Sequence, residues 1–187
     1  PWPEALGKRK SKARGFAHHE VNSKLYRFTG RTLPDEVWFW ADVKATDPGP
    51  TNLTVHVEDP AAGADEPATV RVRMLGYSHL PKDPDHDVEV TWNGVPVGTA
   101  VWDGEAPYVF EGKIASTNLK AGDNVLGLRA SGEKTGGIDF VLLDWVEVDY
   151  ERRVTVERRD QVAVRAADAG SDAAGERHAD TARRVIG

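Results

Sequence analysis

The sequence predicts an all-β protein: a jelly-roll type β-sandwich of about eight antiparallel strands in two sheets, spanning about residues 37–150, with extensions at both ends. Three observations predict it. Apolar and polar residues alternate with a period of two along most of that stretch, and stripes of helical period are hard to find. Clusters of Pro, Gly, Asp and Asn separate the alternating runs at near-regular intervals, as turn chemistry requires. Asn93-Gly94 between Trp92 and Val95 is the favoured two-residue hairpin connection, because a type I′ turn needs positive φ at both central positions.

The elements follow in order. Residues 1–36 form a basic N-terminal extension, eight Lys/Arg against four acids, expected to pack on the sandwich. Its run Lys8-Arg9-Lys10-Ser11-Lys12-Ala13-Arg14 reads as a solvated arm, and Lys24-Leu25-Tyr26-Arg27-Phe28-Thr29 as a strand. The run 37–43 sets Val37, Phe39, Ala41 and Val43 on one face, opposite Trp38 and Trp40. Leu53, Val55 and Val57, then Val70, Val72 and Met74, then Val88, Val90 and Trp92 mark three more inward faces. Closing the hairpin at Asn93 and Gly94, both structural residues, pairs Trp92 with Val95, Val90 with Val97 and Val88 with Thr99.

The run from Phe140 to Tyr150 is apolar on both faces at its start, the pattern of a strand covered on both sides. The N-terminal segment or a neighbouring domain is the expected cover. Residues 151–187 contain no aromatic residue. They read as a linker or the start of a following β-domain, with short strands at 154–156 and 161–165.

Composition removes several kinds of chemistry. The 187 residues include no cysteine, which excludes thiol nucleophiles, disulfides and thiolate metal sites. Residues 37–150 carry eight Lys/Arg against nineteen acids, so a nucleic-acid partner is not expected. No stretch approaches the ~18–20 apolar residues of a membrane span, and Pro1-Trp2-Pro3-Glu4 does not begin a secretory leader. His18-His19-Glu20 lacks zinc-ligand spacing. The run 82–87, with Asp83, Asp85 and Asp87, reads as an acidic turn in solvent, lacking the Gly and terminal Glu of a helix-loop-helix calcium site. Every serine lies outside a Gly-x-Ser-x-Gly pattern. Catalysis is not expected, and a hydrolase using paired carboxylates is the remaining alternative.

Tryptophans and one aspartate carry what signal is left. Trp92 and Trp145 read as core. Trp38, Trp40 and Trp102 are the candidate ligand-binding rings, with Trp102, at the end of a hairpin strand, expected to be partly exposed. Asp144 lies among Leu142, Leu143, Trp145 and Val146, so it is expected to be buried, hydrogen-bonded and structural.

Several ordered motifs then form a pattern. They are Tyr26-Arg27-Phe28-Thr29-Gly30, Trp38-Phe39-Trp40, Asp85-His86-Asp87-Val88, Asn93-Gly94-Val95-Pro96-Val97-Gly98, Trp102-Asp103-Gly104, Leu119 to Asn124, and Leu143 to Tyr150. Over about 20–150 the chain resembles the β-rich region that precedes the catalytic domain of bacterial gingipain-like cysteine peptidases. Its second half is similar to jelly-roll carbohydrate-binding and galactose-binding-like modules. The resemblance implies a non-catalytic accessory module of a secreted or cell-surface bacterial protein, positioning or shielding a catalytic domain. Its partner would be a neighbouring domain of the same protein or a cleaved partner chain. An independent carbohydrate-binding module, with carbohydrate as partner, is the alternative. The peptidases' Cys and His chemistry does not carry over to a chain without cysteine. No cofactor is implied, except that jelly-roll modules often hold calcium, for which Asp144 is the candidate ligand.

Overall fold

Eleven strands follow one another in the computed structural model, which describes residues 12–27, 36–61, 63–81, 83–133 and 136–154. They are β1 (Lys12–Glu20), β2 (Lys24–Leu25), β3 (Trp38–Phe39), β4 (Ala41–Lys44), β5 (Thr51–Val57), β6 (Ala68–Gly76), β7 (His86–Trp92), β8 (Val95–Trp102), β9 (Pro107–Ile114), β10 (Gly122–Ala130) and β11 (Phe140–Arg153). All pairings are antiparallel, as expected of a jelly-roll type sandwich. One sheet runs β1-β11-β6-β9, with β4 beside β1 on the same edge of β11; the other runs β5-β10-β7-β8. The two short strands β2 and β3 pair with each other. Among the described residues no helix is long and apolar enough to cross a membrane. The chain divides into units Pro1–Thr155 and Val156–Gly187. Of the linker or following β-domain read into residues 151–187, residues 151–153 belong to β11 and residues 155–187 lie outside the described residues, as do Phe28 and Thr29 of the strand read at 24–29.

The inward residues of the two sheets make one core. Val55, Val57, Val70, Val72, Met74, Val88, Val90, Trp92, Leu126, Leu128, Val141, Leu143, Val146 and Val148 are all essentially inaccessible to water. Burial on this scale is the main term holding the sandwich together. A second cluster lies on the outer side of β11, where Leu142 meets Phe39 and Leu75, with Tyr26, Tyr77 and Phe140 packed around them. The two-sided apolar start of β11 is therefore covered by aromatic rings of this same chain. Asp42 ties β2 to β4 by ion pairs to Lys24 and Lys44. Burial works to raise its pKa, but the two ammonium groups outweigh burial and hold the carboxyl well below the usual range.

Three local readings are corrected. Lys12 to Arg14 is not a free arm: it opens β1, laddered to β11 from Lys12↔Arg153 to Glu20↔Trp145. The strand escapes a hydropathy reading because three of its inward residues, Ala13, Gly15 and Ala17, are small and the fourth, His19, is polar. Gly15 lies under the Tyr150 ring, where a Cβ would come within 2.5 Å of ring carbon. Second, the run 37–43 does not keep one face, because a bend at Trp40 sends Phe39 to the outer cluster and Ala41 and Val43 to the main core.

The third correction concerns the hairpin. It closes at Trp92↔Val95, with Asn93 at φ 50° and Gly94 at φ 79°. A bulge then leaves Val97 over, so that Val90 faces Gly98 and Val88 faces Ala100, rather than Val97 and Thr99. The packing explains it: the Phe110 ring presses on Gly98, within 3.1 Å of where a Cβ would sit, and Val97 lies over Gly112. One extra residue reverses the alternation downstream. Ala100 and Trp102 turn inward and Val101 turns out. Trp102 is consequently 8% exposed, not partly exposed as its place at the end of a hairpin strand suggests. Its indole is stacked on Tyr108 at 5.0 Å and tilted against His86 at 4.5 Å.

Candidate functional site

A second bulge builds the most unusual polar group of the molecule. In the β11–β6 ladder Leu143 faces Met74 and Trp145 faces Arg73, which leaves Asp144 as the extra residue. On the opposite edge of β11, β4 ends at Ala41↔Leu143 and β1 ends at Glu20↔Trp145. Asp144 thus stands at the gap between two strands that share one edge. Glu20 reaches the gap from the end of β1, and Glu36 from just before β3. One carboxylate oxygen from each of Glu20, Glu36 and Asp144 lies within 4.8 Å of the others.

The cations around this trio are few. Arg73 Nη1 is 3.0 Å from Asp144 Oδ2. His18 lies between Glu20 at 3.5 Å and Glu147 at 3.3 Å, its ring 5.8 Å from that of Trp145. Glu36 Oε1 accepts the backbone N–H groups of Val37 and Trp38, which fixes the carboxylate and the start of β3 together. Asp144 is 4% exposed. Burial raises its carboxyl above the ordinary aspartate range; Arg73 opposes the rise, and Glu36 and Glu20 add to it.

A stability consequence follows from that direction. The folded protein binds this proton more readily than the unfolded chain, so the group favours folding at low pH and opposes it once pH exceeds its folded pKa. Asp144→Asn keeps the shape and removes the charge. It should be neutral to stabilising by up to about 1 kcal/mol at pH 7, an advantage that fades as pH falls towards ~4. Urea unfolding of both proteins across that range is the check, and an Asn variant less stable by roughly 2 kcal/mol at neutral pH would show that the Arg73 ion pair dominates.

The candidate rings are not gathered in one place. Trp38 is 41% exposed, beside Leu25 at 47%, its partner across the β2–β3 pair. Trp40 is half-buried against the main core. Trp102 is in the core at the end of β8, with ring neighbours on Tyr108 and His86, and offers no open face to a ligand. Of these three residues, only Trp38 is bonded to the carboxylate trio, by its main-chain N–H to Glu36. Glu36 and Arg73 carry no signal in the sequence, and Glu20 stands out there only in His18-His19-Glu20; the pairing of β1 and β6 with β11 brings Glu20 and Arg73 to Asp144, and Glu36 joins them from just before β3. Asn93 holds its turn to the neighbouring loop, donating through Nδ2 to Asn118 O and Asn124 Oδ1 and accepting from Val125 N through Oδ1.

The acidic turn at 82–87 departs from expectation in part: Asp83 is exposed, but Asp85 and Asp87 are buried. Asp85 is fully buried and accepts from Leu80 N at 2.8 Å, Gly104 N at 2.9 Å and the His79 ring at 2.9 Å. Burial works to raise its pKa, but these hydrogen bonds outweigh it and hold the carboxyl below the usual range. His86, also fully buried, hydrogen-bonds through Nδ1 to Asp139 Oδ1 at 2.7 Å, while Asp139 Oδ2 accepts Asp87 N at 2.9 Å. These groups are occupied in fastening loops together.

The fold and site define a class: an antiparallel jelly-roll β-sandwich with three carboxylates gathered at a bulge of β11. No protein-family model matches the chain, and no curated protein matches it. Among solved structures it is similar to part of dimeric latent PorU from Porphyromonas gingivalis, with a TM-score of 0.52 and 11% identity over 79% of this chain. The chain spans only 14% of that PorU chain. It is also similar to the carbohydrate-binding module CBM36 solved with calcium and xylotriose, at a TM-score of 0.44 and 15% identity, covering 70% of this chain and 98% of that one. A family 35 carbohydrate binding module from Clostridium thermocellum is similar at a TM-score of 0.40 and 14% identity, covering 74% and 97%. At such identities the likeness is one of fold alone.

Proposed function

We propose that this chain is a non-catalytic β-sandwich module that binds carbohydrate, using Trp38 and the polar group formed by Glu20, Glu36, Asp144 and Arg73. The observation that carries this reading is that Trp38, 41% exposed, donates its main-chain N–H to Glu36, one of three carboxylates whose oxygens lie within 4.8 Å of one another. An indole face offers a flat apolar surface to the C–H side of a pyranose, and carboxylates accept from its hydroxyl groups. Arg73 supplies donors to the same ligand. The reading includes an extracellular location, where such ligands are met. A role as an accessory module of a larger secreted peptidase protein, positioning or shielding its catalytic domain, is the second reading and draws on the fold likeness to a region of PorU. It has lost one motive, because the second face of β11 is already covered by Phe39, Tyr26 and Tyr77.

Calorimetric titration against a panel of xylo-, manno- and gluco-oligosaccharides tests the proposal. One of them should bind, and Trp38→Ala should weaken that binding by roughly ten-fold or more without changing the fold. Failure of every sugar to bind would remove the carbohydrate reading, and release of reducing ends would remove the non-catalytic part. Calcium held by the three carboxylates belongs to the same proposal. Chelator should then lower the melting temperature of wild type but not of Asp144→Ala; equal melting with and without chelator would dispose of the ion.

A further inference from the structure

The bulge at Asp144 has a second effect, on the residue that follows it. Leu143 faces the core, and an unbroken alternation would send Trp145 there as well, in keeping with its sequence reading. The extra residue reverses the face. Trp145, Glu147, Asp149 and Glu151 are half-buried on the outer side of the sheet, while Val146, Val148 and Tyr150 are buried in the core. Across the ladder Trp145 stands between Glu20 of β1 and Arg73 of β6. Both belong to the polar group around Asp144, its own neighbour in the chain. The Trp145 ring meets His18 at 5.8 Å with a tilt of 42°. Trp102, in the core, is by contrast stacked on Tyr108 at 5.0 Å and 5°.

Building on the carbohydrate reading, on which this rests, we infer that Trp145 is a second aromatic platform of the same site, and that the ligand is an oligosaccharide of two or more units. A half-buried indole is packed enough to hold its ring in place and open enough to touch a ligand, the combination in which tryptophan serves at interfaces. Its neighbours across the ladder are charged, so the ring is an apolar island on a polar face. Trp38 and Trp145 join the carboxylate trio through different members. Trp38 does so by its main-chain N–H to Glu36, and Trp145 by its chain link to Asp144 and its pairing with Glu20. The carboxylates connect the two residues, so a ligand that reaches both rings runs past them. One pyranose stacks its C–H side on one indole. A chain of sugars sets one unit on each ring, and the carboxylates accept from the hydroxyl groups between. Affinity then grows with chain length, because the second ring is reached only by a second unit.

Calorimetric titration of the full chain with xylose, xylobiose and xylotetraose, and with the manno- and gluco- sugars of the same lengths, tests this. In the series that binds, wild-type affinity should rise roughly ten-fold or more from one unit to four. Trp145→Ala should lose roughly ten-fold for the tetrasaccharide and change the single sugar by no more than about two-fold. Trp145→Phe keeps a flat ring and should recover most of that loss. Thermal melts confirm that each variant is folded. The indole N–H resonance of Trp145 in wild type, assigned by its disappearance in Trp145→Phe, should also move on addition of the tetrasaccharide, and it decides the matter if Trp145→Ala fails to fold. Binding that depends on Trp38 but is unchanged in Trp145→Ala overturns the inference and leaves the carbohydrate reading standing. So does an unmoved Trp145 resonance, or equal affinity for one unit and four. If no sugar binds, both fall together.

Discussion

Gly76→Ala should remove about 3 kcal/mol or more of folding stability and lower the melting temperature by roughly 10 °C. Gly76 closes β6 in a fully packed environment. A Cβ there would lie 2.3 Å from His86 Nε2 and 2.4 Å from the carbonyl oxygen of Gly104. Neither neighbour has room to retreat. The carbonyl belongs to the backbone of a turn whose N–H is bound to Asp85, and the imidazole is held by Asp139 on one side and the Trp102 ring on another. Gly98→Ala is the control, because its Cβ would meet only the Phe110 ring, at 3.1 Å; it should cost no more than about 1 kcal/mol. Thermal and urea unfolding of both variants decides the matter. A Gly76→Ala protein that melts within a degree or two of wild type would show that the 76, 86 and 104 segments are not the rigid unit described.

Asp139→Ala strikes the same unit from its polar side. Asp139 is 2% exposed and accepts from two buried donors, His86 Nδ1 and Asp87 N. Deleting the carboxylate leaves both without an acceptor, where water does not replace it, at an expected total of roughly 2–5 kcal/mol. Asp139→Asn retains one acceptor oxygen but turns an N–H₂ towards the other donor, so its cost should be intermediate. The damage should also spread locally. Asp139 precedes β11, and Phe140 is bonded to Ser78 and Tyr77, so amide exchange should quicken in the loops after β6 and before β11 ahead of the sheet centre. An Ala variant as stable as wild type would mean that the His86–Asp139 pair contributes nothing to the fold.

The segment 82–87 has the composition of a solvated acidic turn, and every local rule points that way. Asp85 and Asp87 are instead buried: the nearby His79 ring and Leu80 N–H and the more distant Gly104 N–H satisfy Asp85, and Asp139, from far along the chain, accepts from His86 and the Asp87 backbone N–H. Trp102 is a similar case. At the end of a hairpin strand and followed by Asp103-Gly104, it has the local marks of a partly exposed ring. A one-residue bulge at Val97, imposed by the Phe110 ring against Gly98 and by Gly112, reverses its face.

What the sequence by itself determines are the features carried by near neighbours. The period of two marks β5, β6 and β7 and their inward residues. Asn93-Gly94 sets the hairpin turn, since the backbone conformation it needs is a property of those two residues. The doubled apolar face at the start of β11 declares a strand covered on both sides, and the burial of Asp144 follows from its flanks. The tertiary structure alone decides what depends on partners far along the chain. It makes β1 a strand although its inward side is Ala13, Gly15, Ala17 and His19, because ladder bonds to β11 and the overlying Tyr150 ring supply what hydropathy lacks. It also places Glu20, Glu36, Asp144 and Arg73 together at a bulge. Period-two patterning records which face a residue takes relative to its neighbours, but carries no register between strands, and one residue of register is enough to move a side chain from solvent to core.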